Sequence, residues 1–451
     1  MRAPLPTVTQ LVTHACPKRL LVWGGAAPGR ARCDGMRPAL PTDVFALLPL
    51  LVLASAPSHE ALLAQAWREN PAVARAAAEV ALADAELTSQ RVLLPNPELH
   101  GAATSDVVFA NRGELALEVA LVQELSWPGA RWARIEAAQE RVRAARLRLA
   151  LARLQVAADL EGAAGALAAA NETHAIMTQL ADSARAFADA ARRRAEAGAA
   201  GDVEATLALA DEASVRAQLS ASGAEKDAAV LDLCALVARE DCTGLHEGSW
   251  PSLAALPELA PSSLGRADVL AASAAQRAAD HEVTAALLSR IPSVRAGLGY
   301  GFGNSVFDAS ALTDQDQLLT VTLAVTLPVW DQQAGEVERA RGESARAQAD
   351  SREALLRAHT SVAAALSRLR SASEAEVLLH VVEPAVSKAL VDVERAYVAG
   401  GLSLAEALAA RDRLLRTRIE GVASKKRKVQ AHAAALAALA DPAVVGVEVT
   451  Q

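Results

Sequence analysis

An internal repeat with a period near two hundred residues constrains this chain more than any other feature of it. Leu125–Ala138 aligns with Leu327–Ala340 at an offset of 202 positions, with Ile135-Glu136 on Val337-Glu338 and Ala138 on Ala340. The same offset carries Gly198 onto Gly400, Glu204-Ala205 onto Glu406-Ala407 and Arg216 onto Arg418. Upstream the offset is 197, Pro95 meeting Pro292, so the second copy is five residues longer before Leu327. The copies cover 58–240 and 260–440, with a linker at 241–259 and a tail at 441–451. A repeat this regular requires one supersecondary unit used twice.

Within each copy the order of predicted elements is the same. A helix comes first (59–93; 263–290) and stops at Pro95 or Pro292, because proline lacks the amide donor. Two strand-like segments follow, then a very long helix (132–197; 335–399). A glycine break (Gly198-Ala-Ala-Gly201; Gly400-Gly401) leads into a shorter return helix (203–239; 403–440). A helix of that length spans roughly 100 Å, which no compact core can cover, so it needs partners along its length. The chain is 52% hydrophobic but only 3% aromatic, with alanine dominating. Alanine favours long helices that approach one another closely. Leu355, Ala358, Val362, Ala365, Leu369 and Ala372 follow the three-four spacing of a coiled-coil seam, as do Leu147, Ala150, Leu154 and Ala157. Pro384 is expected to kink the second long helix; the first has Asp182 there.

The strand segments carry the class. Leu319, Val321, Leu323, Val325 and Leu327 alternate with Thr320, Thr322, Ala324 and Thr326; Leu115, Leu117, Val119 and Leu121 alternate with Glu114, Ala116, Glu118 and Ala120. Such alternation over roughly nine to eleven residues fits a transmembrane β-strand, apolar to lipid and polar to a lumen. Weaker partner strands are expected over 97–108 and 293–303, and Trp127 and Trp330 fall where an interfacial aromatic belt belongs. A half-buried soluble sheet is the alternative. Four strands cannot close a membrane barrel without leaving unpaired backbone in lipid, so several copies must pool theirs.

The N-terminus reads as an export signal over 1–54, with the apolar run Val44–Leu53 followed by Ala54-Ser55-Ala56, and with Met36 as the expected true start. No other segment reaches the roughly 18 to 20 apolar residues of a spanning helix. Cys16 and Cys33 would leave with the signal. Cys234 and Cys242 remain for a local disulfide, the alternative being two unpaired thiols.

A net charge of −8 argues against nucleic-acid binding. His174, His246, His281, His359, His380 and His432 show no i, i+4 pairing and read as isolated helix-surface residues. Lys425-Lys-Arg-Lys428 reads as a solvated helix face. No phosphate loop and no nucleophile–base set is discernible, so neither an enzyme nor a cofactor is expected.

The chain resembles the TolC-like outer-membrane efflux protein family. The resemblance rests on Leu93-Leu-Pro-Asn-Pro-Glu-Leu99, on Gln123-Glu-Leu…Gly129-Ala-Arg131…Arg134-Ile-Glu-Ala137, and on Arg395-Ala-Tyr-Val-Ala-Gly-Gly-Leu-Ser-Leu404. The first two are most similar to the branch serving heavy-metal and related resistance-nodulation-division pumps. The family implies a mainly α fold with a small membrane β part: a homotrimer with a twelve-stranded β-barrel in the outer membrane, continued by a helical tunnel in the periplasm. It implies a membrane-fusion adaptor and an inner-membrane pump as partners. It places adaptor docking at Gly198, Gly201 and Asp202 and at Gly400, Gly401, Leu402 and Ser403; plain helix termination is the other reading of these glycines. A periplasmic coiled-coil scaffold without a pore is the competing function.

Overall fold

The computed structural model describes residues 58–92, 96–105, 115–125, 127–198, 201–242, 244–246, 248–253, 265–307, 312–327 and 332–441. The expected signal region, Pro95, Trp330, part of the linker and the tail after 441 lie outside them. In chain order the elements are α1 (His59–Glu69), α2 (Pro71–Arg91), β1 (Glu98–Ser105), β2 (Leu115–Leu125), α3 (Pro128–Glu196), α4 (Asp202–Leu236), α5 (Ala267–Leu288), β3 (Ser293–Phe307), β4 (Leu312–Thr326), α6 (Ala334–Val398) and α7 (Leu404–Leu439).

The first expected helix is in fact two. Asn70 precedes Pro71, and a residue before proline is pushed out of the helical region. It sits at φ −65°, ψ 128°, ending α1 and capping α2. Its Oδ1 accepts from Ala72 N at 2.8 Å, and its Nδ2 donates to the Leu236 carbonyl at 2.9 Å, fastening the break to the end of α4. Pro71 itself takes the first helical turn, where no amide is needed. Pro384, by contrast, lies within α6 without ending it.

The four strands form one antiparallel sheet in the order β1-β2-β3-β4. Each strand adjoins one helix in sequence: α2 before β1, α3 after β2, α5 before β3 and α6 after β4. The helices pack in the matching order, α3 between α2 and α5, and α5 between α3 and α6. Beyond the start of α5, where the Ala267 amide donates to the Ala440 carbonyl just past α7, the order becomes α4-α3-α7-α6, and α3 and α6 hardly touch directly. One layer therefore runs from sheet to helices, bounded on one side by β1, α2 and α4 and on the other by β4 and α6.

The core of that layer is thin and rich in alanine. Ala137, Ala138, Ala150, Ala184 and Ala191 are fully buried along α3. Gly165 lets α7 come closer still, since a Cβ there would lie 2.6 Å from Val429 Cγ1. The seam expected in the first copy is buried at Leu147, Ala150, Leu154 and Ala157, whereas α6 buries only Ala358 and Ala365 of its own. That difference follows from position: α3 is interior to the layer and α6 is an edge.

Candidate membrane strands and helix-turn tip

The register of the sheet sets which side chains share a face. Leu99, Leu121, Leu298 and Val321 form one cross-strand row, and Gly101, Val119, Tyr300 and Leu319 the next on the same side. Leu115 and Leu117, and Leu323 and Val325, continue this face along β2 and β4. All of these large side chains are exposed, Val321 to 76%. Gln123, in the row that continues to Ala296 and Leu323, interrupts the apolar face. From Leu115 to Leu125 the β2 face extends about 34 Å at roughly 3.4 Å per residue, enough for a tilted strand to cross the apolar band of roughly 25 Å of a membrane barrel.

The other face is built differently. It carries His100, Ala120 and Thr320 in one row and Glu118 and Leu318 in the next. At its centre β3 presents Gly297, Gly299, Gly301 and Gly303 in succession. A Cβ on Gly299 would lie 3.1 Å from both Ala120 Cβ and Glu118 Oε1, so these neighbours lean over the bare strand. Reading for apolar alternation passes over this ladder, although the spacing of glycine at every second residue is its signal. No described helix is long and apolar enough to cross a membrane.

At the opposite end of α3 and α6 lie the two turns. Gly198 has φ +70° and Gly400 φ +79°, the left-handed region that glycine occupies without a Cβ penalty. The Gly401 amide donates to the Ala396 carbonyl at 2.8 Å, closing α6. Ser403 then opens α7 through a capping box: its Oγ accepts from Glu406 N, and Glu406 Oε2 accepts from Ser403 N. The Ser403 hydroxyl, which donates to Glu406 Oε2 at 2.7 Å, and then the Ser403 amide hold the Glu406 carboxyl below its ordinary range. Gly198, Gly201, Asp202, Gly400, Gly401 and Ser403 are exposed, while Leu402 is half-buried.

Just behind the turns a cluster that sequence reasoning missed joins the two copies. Phe187 of α3 and Tyr397 of α6 pack with ring centroids 4.9 Å apart. Tyr397 OH donates to Glu204 Oε1 at 3.2 Å, and Arg194 stands 3.5 Å from the same carboxylate and 5.5 Å from the Tyr397 ring. Burial, then the Glu204 charge, pushes the Tyr397 hydroxyl above its ordinary pKa. Arg411 of α7 binds both oxygens of Asp211 of α4 at 2.7 and 2.8 Å and lies 5.5 Å from the Phe187 ring. With only five phenylalanines and two tyrosines in the chain, the scarcity of aromatics was the available signal.

Three other expectations meet the structure here. Cys234 and Cys242 are bonded, with Cα atoms 5.6 Å apart, tying the end of α4 to the linker. The basic run is not simply a solvated face: Lys425 reaches Glu172 at 3.0 Å and Glu383 at 3.7 Å, and Lys428 reaches Glu376 at 3.2 Å. Burial opposes the charge on Lys425, but the two carboxylates outweigh it and raise its pKa. Nor is His432 on the surface; it is buried against Glu161, Nδ1 to Oε1 2.5 Å, because α7 turns that face onto α3. No group of side chains able to hold a metal ion occurs among the described residues.

The family model for outer membrane efflux proteins matches the chain twice, over residues 62–239 and 262–440. No curated protein sequence matches it. Among solved structures, the CmeC outer membrane channel of Campylobacter jejuni superposes with a TM-score of 0.70 at 17% identity, covering 85% of this chain and 86% of that one. The open-state MtrE outer membrane channel of Neisseria gonorrhoeae gives 0.67 at 20% identity, covering 86% and 89%. CusC gives 0.69 at 16% identity, covering 90% and 98%. Scores this even establish the fold without singling out a branch. With the two repeats, the antiparallel sheet and the long helices all matched, the chain belongs to the outer membrane efflux protein family.

Proposed function

We propose that three copies of this chain join edge to edge into a passive conduit across the outer membrane and periplasm, fed by an inner-membrane pump through a periplasmic adaptor. One observation carries the reading. Strands and helices run in the same order across the layer, so the β4 and α6 edge of one copy can meet the β1, α2 and α4 edge of the next along its whole length. An unpaired strand edge in lipid is costly, and closure removes it. Both helical edges expose large apolar side chains: Leu356, Leu378 and Val381 on α6, and Val203, Leu207 and Leu231 on α4. Three such sheets pool twelve strands, with Leu115, Leu117, Val119, Leu121, Leu319, Val321, Leu323 and Val325 toward lipid. The long helices α3 and α6, each roughly 100 Å, carry the path away from the membrane.

The tip residues Gly198, Gly201, Asp202, Gly400, Gly401, Leu402 and Ser403 carry the adaptor contact in this reading. Their exposure and their distance from the strands support it, and turn carbonyls and amides left over by the helices offer bonds to a partner. The test is a pair of variants, Leu402→Asp and Gly401→Trp, scored for a detergent-stable trimer and for efflux-dependent resistance. Intact trimers without efflux are expected. Intact trimers with full efflux refute the docking assignment, and a monomer in the unmodified chain refutes the conduit. A poreless scaffold predicts no single-channel conductance from the purified protein.

A further inference from the structure

Between α3, α6 and α7, above the tip cluster, lies a cavity of about 240 Å³. This is slightly below the roughly 300 Å³ at which small-molecule sites begin. Ile176 and Leu180 of α3, Leu390 of α6 and Leu415 of α7 form its apolar walls. Two guanidinium groups, those of Arg411 and Arg418, also line it. Arg411 is 3% exposed. Its Nη2 serves Asp211, but its Nε and Nη1 are buried with no acceptor among the described residues. Arg418 Nη1 donates to Gln179 Oε1 at 2.9 Å, while its Nε is likewise buried and without an acceptor. Three buried donors without acceptors thus come from two arginines on one cavity, and buried donors in folded proteins are rarely left so.

We infer that this cavity is a binding site for a small amphiphilic monocarboxylate, its carboxylate held by Arg411 and Arg418 and its hydrocarbon tail laid among Ile176, Leu180, Leu390 and Leu415. Guanidinium donors select carboxylate oxygens by charge-assisted hydrogen bonds. The donors left without acceptors call for an anionic head group, and the carboxylates already present limit its charge. Asp211 balances Arg411, Arg418 has a neutral amide as partner, and Glu394 stands on the α6 wall. A doubly charged anion such as phosphate meets too much negative charge, and a cation meets two guanidiniums. Ser183 and Ser387 add hydroxyls that serve the same head group. The site lies within one copy and does not depend on the trimer reading. A ligand there would touch all three helices and bridge α3 to α6.

The test is calorimetric titration of the full chain in lipid nanodiscs with octanoate, octanol and octylamine. Octanoate is expected to bind saturably, and the alcohol and amine at least tenfold more weakly. Arg418→Gln is expected to lower octanoate affinity tenfold or more, and Glu394→Gln to raise it. Leu390→Trp, which fills the cavity, is expected to abolish the saturable signal with the thermal midpoint retained. Octanol binding as tightly as octanoate overturns the assignment of charge. An unchanged signal in Leu390→Trp, which leaves only partition into lipid, overturns the site, as does indifference to Arg418→Gln.

Discussion

Replacing Val321 with arginine tests the orientation of the sheet directly. Val321 is 76% exposed, and its row contains Leu99, Leu121 and Leu298, so no polar neighbour can receive a guanidinium. It lies near the middle of the apolar stretch of β4, where an arginine at the bilayer midplane costs about 2–4 kcal/mol. A closed trimer would carry the change three times, about 6–12 kcal/mol per barrel if the copies act independently. That is comparable to the whole stability of a typical domain, so assembly should fail. Thr322→Arg is the matched control, one residue along and on the opposite face, beside Gly297. Heat-modifiable migration of outer-membrane extracts on gels reads assembly. Loss of the trimer in Val321→Arg with retention in Thr322→Arg is expected. Equal assembly of both variants would show that the exposed leucine and valine face does not meet lipid.

Three further outcomes follow from the packing. Gly165→Ala places a methyl against Val429 and should lower stability by about 1–3 kcal/mol, read as a drop in thermal midpoint; Val429→Ala in the same chain should restore part of the loss. Replacing Cys234 and Cys242 together by alanine should cost about 2–3 kcal/mol, the chain-entropy value for so short a loop, read by denaturant unfolding with and without reductant. The Glu406 carboxyl has a depressed pKa in the fold, so its capping contribution is present above the unfolded carboxylate pKa and is lost as pH falls through the folded one. Glu406→Gln should flatten that acid-side loss of stability, and an unchanged pH profile would refute the role of the cap.

What the sequence displayed best was whatever repeats at short period. The alternation at Leu115–Leu121 and Leu319–Leu327 placed both strong strands, and the order of elements followed from the offset that joins Gly198 to Gly400. What it hid depends on residues far apart in the chain. Tyr397 and Glu204 are 193 positions apart, and Arg411 and Asp211 are 200, so neither pair leaves a local pattern. Lys425 and His432 were misjudged for the same reason, their partners Glu172 and Glu161 lying on another helix. The break at Asn70-Pro71 was local and readable; the alanine-rich run on both sides hid it.

The glycine ladder of β3 bears on what a travelling solute would meet. In a closed barrel its face becomes part of the inner wall, and Gly297 and Gly299 allow Val122 and the Glu118 carboxylate to lie down over the backbone. Side chains that recline along a wall take little of the cross-section, and peptide groups already paired with β2 and β4 have little left to offer a passing molecule. Three such tracks around the barrel would make it a stretch of low adhesion, wide and indifferent to cargo. Discrimination among substrates would then fall to parts of the assembly upstream of the membrane.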